Sequence, residues 1–130
     1  MSPFAPQTRE IDFLMRFFKK LRLAKASGSY TLVEKLIDPQ AILRTMTGSS
    51  KGSKAVLEHL RLMEEQPYHM EIVAPKGGLM TVLVSPIMHG ERLPGLGYEQ
   101  VYRILNDNLL EVIDLGRTPG QVFRPESQPS

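Results

Sequence analysis

Cysteine is absent from this 130-residue chain, which removes disulfides, thiol nucleophiles and cysteine-ligated zinc together. The absence is compatible with any compartment and leans toward the cytoplasm. No apolar run approaches the ~20 residues that a membrane-crossing helix needs, so no membrane partner is expected. The opening MSPFAPQTRE has no basic segment followed by an apolar core, and so does not read as a secretory leader. Charge of one sign is scarce as well. Sixteen Lys and Arg against fourteen Asp and Glu leave a formal +2, too little to announce a nucleic-acid binder. Arg16, Lys19, Lys20, Arg22 and Lys25 form a local basic group. It reads as the solvated face of a helix, without the interleaved aromatics that single-strand binding uses.

What is present fits one domain with a single core. Residues 1–8 are Pro-rich and read as a flexible arm. A first helix is expected over residues 9–26, because Ile11, Leu14, Phe18 and Leu21 follow the 3-4-3 spacing of one buried face, and Phe13 and Phe17 widen it. Ser27-Gly28-Ser29 ends that helix and caps a short second one over residues 30–37, stopped by Asp38-Pro39. Residues 41–47 alternate as a strand, with Ile42, Arg44 and Met46 on one side. Residues 48–52 read as a flexible Gly/Ser/Lys loop that lacks the spacing of a phosphate loop. Ser53 is the expected N-cap of a third helix reaching residue 66, where Val56, Leu60 and Met63 repeat the 4-3 spacing.

Everything after Pro67 is strand in pattern. Runs are expected over residues 68–74, 79–89, 97–105 and 109–116, the last two joined by a three-residue turn Asn106-Asp107-Asn108. The tail, residues 118–130, reads as flexible. The expected class is therefore α+β: three helices packed on a curved, mainly antiparallel sheet of about five strands, spanning residues 9–117. The final strands carry apolar residues on both faces, whereas an antiparallel sheet with one wet face alternates more cleanly. One face must meet the helices, and the open face is expected to meet a second copy in a homodimer.

The order helix–helix–strand–helix–four strands resembles the nuclear transport factor 2-like superfamily, with its cystatin-like cone. Three pieces carry the resemblance. LVEKLIDPQAIL looks like the short second helix and its polar turn into the first strand. GSSKGSKAVLEHL is similar to the Gly-x-x-Ala-Ile start of the third helix, here Gly52, Ala55 and Val56. YRILNDNLLEV resembles the closing hairpin. The superfamily includes ketosteroid isomerases, limonene epoxide hydrolases, scytalone dehydratases and SnoaL-like polyketide cyclases. Where ketosteroid isomerases place a general-base Asp, this chain has Thr45 or a near neighbour. Where they place an oxyanion-stabilising Asp, the matching residue is Gln100, and an amide can still donate there. Asp114 falls near the final-strand acid of limonene epoxide hydrolases, but residues 79–88 hold no Arg or Asp to complete that trio.

The three histidines have no metal spacing, so no metal and no cofactor is expected. His59 reads as a surface or boundary residue. His69 lies on a strand whose facing is open. His89 ends a strand and is the candidate general base, at the rim of the cone with Glu91 or Asp114 nearby; its other reading is an exposed loop histidine. Tyr98, Gln100 and Tyr102 share one strand face by their period of two, the ligand-facing one in the resembling family. They offer hydrogen-bonding handles in an apolar cavity, or else pack in a core with their hydroxyls satisfied. Phe18, Met46 and Met80 are candidate cavity walls. Arg44 either points outward or pairs inside with Asp114 or Glu99.

The expected catalytic set is His89, Asp114 and Tyr98, and the expected ligand set is Phe18, Met46, Met80, Gln100, Tyr102 and Arg44. They suit acid–base chemistry on a small polyketide- or terpenoid-like molecule. The alternative is a non-catalytic ligand-binding or assembly module on the same fold.

Overall fold

A computed structural model describes residues 5–76 and 79–114 of the chain. The tail expected over residues 118–130 and the end of the last expected strand lie outside them.

The first helix, α1 (Ala5–Ser27), begins four residues before its expected start. Phe13, Leu14, Phe17, Phe18, Leu21 and Ala24 are its buried positions, the broad stripe that the 3-4 spacing predicts. It stops where Gly28 takes φ 82°, a left-handed conformation that costs glycine nothing. The Gly28 N–H then closes on the Ala24 carbonyl at 2.7 Å. A single turn, α2 (Thr31–Glu34), follows. It is shorter than expected because the chain already becomes strand at Ile37.

Strand β1 (Ile37–Thr45) contains Asp38-Pro39, which the sequence pattern reads only as a helix stop. Its register against β7 shifts between Ile37 and Ile42, and a proline is tolerated at such an irregularity. The Gln40 N–H donates to Asp38 Oδ1 at 2.7 Å there. Within residues 48–52, expected as a loop, lies a short strand, β2 (Gly48–Lys51), which forms a hairpin with β1. All four β2 residues are exposed, so the strand has no apolar pattern to betray it. Helix α3 (Ser53–Met63) has Gly52, not Ser53, at its N-cap. Ser53 Oγ donates to Glu34 Oε2 at 3.2 Å instead.

The other strands are β3 (Tyr68–Lys76), β4 (Leu79–Met88), the two-residue β5 (Glu91–Arg92), β6 (Tyr98–Leu105) and β7 (Asn108–Asp114). The sheet runs β2-β1-β7-β6-β4-β3, with β5 paired to the end of β4. It is thus larger than five strands, and β1 lies parallel to β7 while the other ladders are antiparallel. The β6–β7 turn holds two residues rather than three. Leu105 faces Asn108 across it, and Asn106 and Asp107 have φ 53° and 56°, the left-handed pair that matches strand twist.

The core lies between the helices and one sheet face. Met80, Val82 and Val84 of β4, Tyr102 and Ile104 of β6, Leu109 and Val112 of β7 and Leu43 of β1 meet the stripes of α1 and α3. Phe17 and Phe18 pack edge to face, and Phe18 stands edge-on to Tyr102 at 5.8 Å. Aromatic pairs at this geometry add to their area burial.

Candidate functional site

Two features of this cone hold chemistry, and one aromatic ring lies between them. The first is a string of four buried polar side chains. Gln100 and Asp114 are register partners across β6 and β7. Asp114 faces inward because of a bulge: Ile104 pairs with Leu109 and Arg103 with Glu111, leaving Leu110 as the extra residue. An extra residue exchanges inward and outward positions downstream. Leu109 and then Val112 and Asp114 are buried in consequence.

Helix α3 completes the string from above. His59 lies three residues after Val56 and four before Met63, on the same buried face, and is 6% exposed. Its Nε2 sits 2.9 Å from Asp114 Oδ2, so that nitrogen carries the proton when Asp114 is a carboxylate. Gln100 Nε2 donates to the same oxygen at 2.9 Å and lies 3.4 Å from Met63 Sδ. The Tyr102 hydroxyl donates to Gln100 Oε1 at 2.6 Å. Asp114 thereby fixes the Gln100 amide, since turning it over would set its oxygen against the carboxylate. Asp114 Oδ1 is buried and has no donor among the described residues. Burial above all, then the nearby Tyr68, Asp114, Tyr98 and Glu64, pushes the Tyr102 phenol well above the ordinary tyrosine range. It stays a donor.

The second feature is a cleft of about 440 Å³ between α1 and β3. Leu14, Met15, Phe18 and Arg22 line it from the helix, and Tyr68, His69, Met70 and Ile72 from the strand. Its size is within the ~300–1,000 Å³ of small-molecule sites, and a mainly apolar wall with few polar groups is their usual make-up. At its polar end the Tyr68 hydroxyl donates to Glu64 Oε2. Burial first, then Glu64 through its hydrogen bond and its charge, raises the Tyr68 phenol far above its ordinary value, while Arg22 pulls the other way. Lys25 Nζ donates to the Glu64 carbonyl at 2.6 Å, where a cation suits the end of α3.

The expected site residues divide sharply. Asp114, Gln100 and Tyr102 come together in the buried string. Phe18 does double duty, lining the cleft and touching Tyr102. Tyr98 is half-buried on the same face of β6 and packs against the core. Met80 is fully buried opposite Tyr102, inside packed core and not on the cleft wall. Met46 sits in the β1–β2 turn, 71% exposed, because the strand ends at Thr45 and its alternation ends there too. Arg44 points to the outer sheet face and meets neither Asp114 nor Glu99. Its Nε donates to Glu111 Oε2 at 2.5 Å, and Arg103 holds Oε1 at 3.2 Å. His89 is exposed in the β4–β5 turn with φ 54°, and the histidine beside Asp114 is His59. Sequence reasoning misses that residue, although its place in the Val56–Leu60–Met63 stripe is the available signal.

Among the described residues no group of three or more metal-ligating side chains gathers, and no helix is long and apolar enough to cross a membrane.

No family model matches the chain, and no curated protein matches it in sequence. Solved structures do match in shape. A de novo designed protein with a curved β-sheet is similar at 17% identity and a TM-score of 0.65, over 90% of this chain and 88% of that one. A steroid delta-isomerase from Pseudomonas aeruginosa is similar at 14% identity and a TM-score of 0.55, covering 79% and 78%. A putative polyketide cyclase from Sinorhizobium meliloti is similar at 15% identity and a TM-score of 0.53, covering 78% and 92%. Identities this low speak for architecture alone: the chain has the curved-sheet cone of the nuclear transport factor 2-like fold.

Proposed function

We propose that this chain binds a small, largely apolar molecule in the cleft between α1 and β3. One observation carries the reading. The cleft is walled by Leu14, Phe18, Met70 and Ile72 and carries a few polar groups, Arg22, Tyr68 and His69. The names of two proteins of like shape, a steroid isomerase and a putative polyketide cyclase, support an apolar ligand by analogy of fold. The test is a thermal-shift and calorimetric screen with steroid, terpenoid, aromatic polyketide and alkyl compounds. At least one class should raise the melting temperature, and Met70→Trp, which fills the cleft, should abolish that rise. A chain stabilised by none of the four classes is not a cleft binder.

Acid–base catalysis is the second reading, favoured by the open Oδ1 of a carboxylate that is otherwise wholly enclosed. In it, His59 and Asp114 take and return a proton, in place of the expected His89. A ligand reaches them when Phe18 turns away from Tyr102, a ring contact that links cleft and string. Ring resonances of His59 should then shift on addition of a cleft ligand. Their indifference, with binding intact, leaves the chain a binder only.

Pairing of two copies through the open sheet face belongs to the same proposal. Leu79, Leu83 and Leu105 are exposed on that face, beside half-buried Val101 and Ile113. An apolar patch of this kind marks an interaction surface more often than bare solvent contact.

A further inference from the structure

Five arginines around the cone, Arg9, Arg44, Arg61, Arg92 and Arg103, each have a carboxylate within 4 Å. Arg16 donates to the Asp12 carbonyl of its own helix. Among the described residues Arg22 has no carboxylate at that range; the group it faces is the Tyr68 phenol. It is also the one arginine on the cleft wall. A guanidinium is a rigid, permanently charged fork matched to a carboxylate. Here the fork lies on the wall of a mainly apolar cleft, beside Tyr68 and His69, without a carboxylate within 4 Å among the described residues.

The neighbouring charges set what the fork can take. Glu64 holds the proton of Tyr68, and Lys25 is anchored on the Glu64 carbonyl. Arg22, Lys25 and Glu64 together leave one positive charge to be matched. A ligand carrying a single negative charge matches it, whereas the second charge of a phosphate monoester would face Glu64. A cationic head group would meet Arg22 directly.

We infer that the ligand of the α1–β3 cleft is an apolar monocarboxylate, with its chain along Leu14, Phe18, Met70 and Ile72 and its carboxylate on Arg22. The inference rests on the cleft-binding reading and adds the chemical class of the ligand. Because the one phenolic proton of Tyr68 is committed to Glu64, the carboxylate is held by Arg22, and Glu64 opposes it from the side.

The experiment measures decanoate, decanol, decylamine and decyl phosphate by calorimetry, each below its aggregation concentration. The proteins are the wild type, Arg22→Gln and Glu64→Gln. Decanoate should bind about tenfold tighter than decanol, the scale of one charge-assisted contact at a protein surface. Arg22→Gln should erase that preference, and a cooperative melt close to that of the wild type, with decanol still bound, shows that the variant is folded. Glu64→Gln should tighten decanoate. Equal binding of decanol and decanoate, or a preference that survives Arg22→Gln, overturns the carboxylate while leaving the cleft in place. Tighter binding of decylamine or decyl phosphate overturns it too. Failure of all four to bind overturns the apolar monocarboxylate, and the cleft reading falls with it only if the steroid, terpenoid and polyketide compounds fail as well.

Discussion

Gln100 and Asp114 face each other across the β6–β7 ladder, and the amide of one donates to the carboxylate of the other at 2.9 Å. The pair sits at the middle of a string that begins at the Tyr102 hydroxyl and ends at the His59 ring.

Asp114→Ala removes the acceptor shared by His59 and Gln100 and should cost about 3–5 kcal/mol, as for a buried pair broken on one side. Asp114→Asn keeps an acceptor oxygen and should cost less, about 1–3 kcal/mol. Gln100→Leu fills similar space but strands the Tyr102 hydroxyl and one acceptor site of Asp114, again about 1–3 kcal/mol. Urea unfolding measures all three. If Asp114→Ala is as stable as wild type, the string is not what holds this part of the cone.

The β6–β7 turn offers the opposite sign. Asp107 occupies a left-handed position, φ 56°, which costs a non-glycine residue roughly 1 kcal/mol. Its ion pair with Arg9 is exposed on both sides, and such pairs contribute little. Asp107→Gly should therefore raise stability by about 0.5–1 kcal/mol, whereas Asp107→Val should lower it by more than that. The two melting temperatures should move in opposite directions.

Much of this cone is legible in its residue pattern. The α1 stripe and the long apolar runs of β4, β6 and β7 are dense enough to specify elements and their order. Gln100 and Tyr102 follow from a period of two in an uninterrupted strand. Legibility fails where pattern and geometry part. Strand β2 is exposed throughout, so only its pairing with β1 makes it a strand. The facing of Asp114 depends on a bulge at Leu110, and in a run of two leucines nothing marks which is the extra one. His59 is ambiguous because histidine suits a wet helix flank and a buried hydrogen bond equally. Its partner lies 55 residues away, and only the fold brings the two together.

The proposed sheet-face dimer makes a prediction independent of the interior. Leu83 is exposed on the outer face opposite Glu99, so Leu83→Lys should leave folding nearly unchanged, within about 0.5 kcal/mol. It should turn a dimer into a monomer by light scattering. Glu111 lies beneath Arg44 and Arg103 on that face, its own side chain only 12% exposed against about half for each arginine. Glu111→Gln should weaken the dimer without dissolving it, and more visibly at low salt, where exposed charges interact over longer range. A wild-type chain that is monomeric at high concentration removes this proposal outright.

The two buried phenols predict how the fold responds to alkali. Tyr68 and Tyr102 both have their ionisation raised above the ordinary value of 10.0, burial being the largest cause in each. The native chain therefore keeps two phenolic protons that the unfolded chain gives up near that pH. The unfolded state then binds fewer protons than the native one, so stability declines as pH climbs. Below pH 10 the contribution of these groups is complete. Above it, each phenol subtracts at most about 1.4 kcal/mol per pH unit, until its own native ionisation point is passed. Tyr68→Phe should flatten that decline relative to wild type, because phenylalanine has no proton to lose in either state. Ultraviolet titration gives a second readout of the same physics. Tyr68 and Tyr102 should form phenolate only as the protein unfolds, and Tyr102 alone of that pair after Tyr68→Phe. A native chain in which both ionise near the ordinary value would mean that Tyr68 and Tyr102 meet water freely.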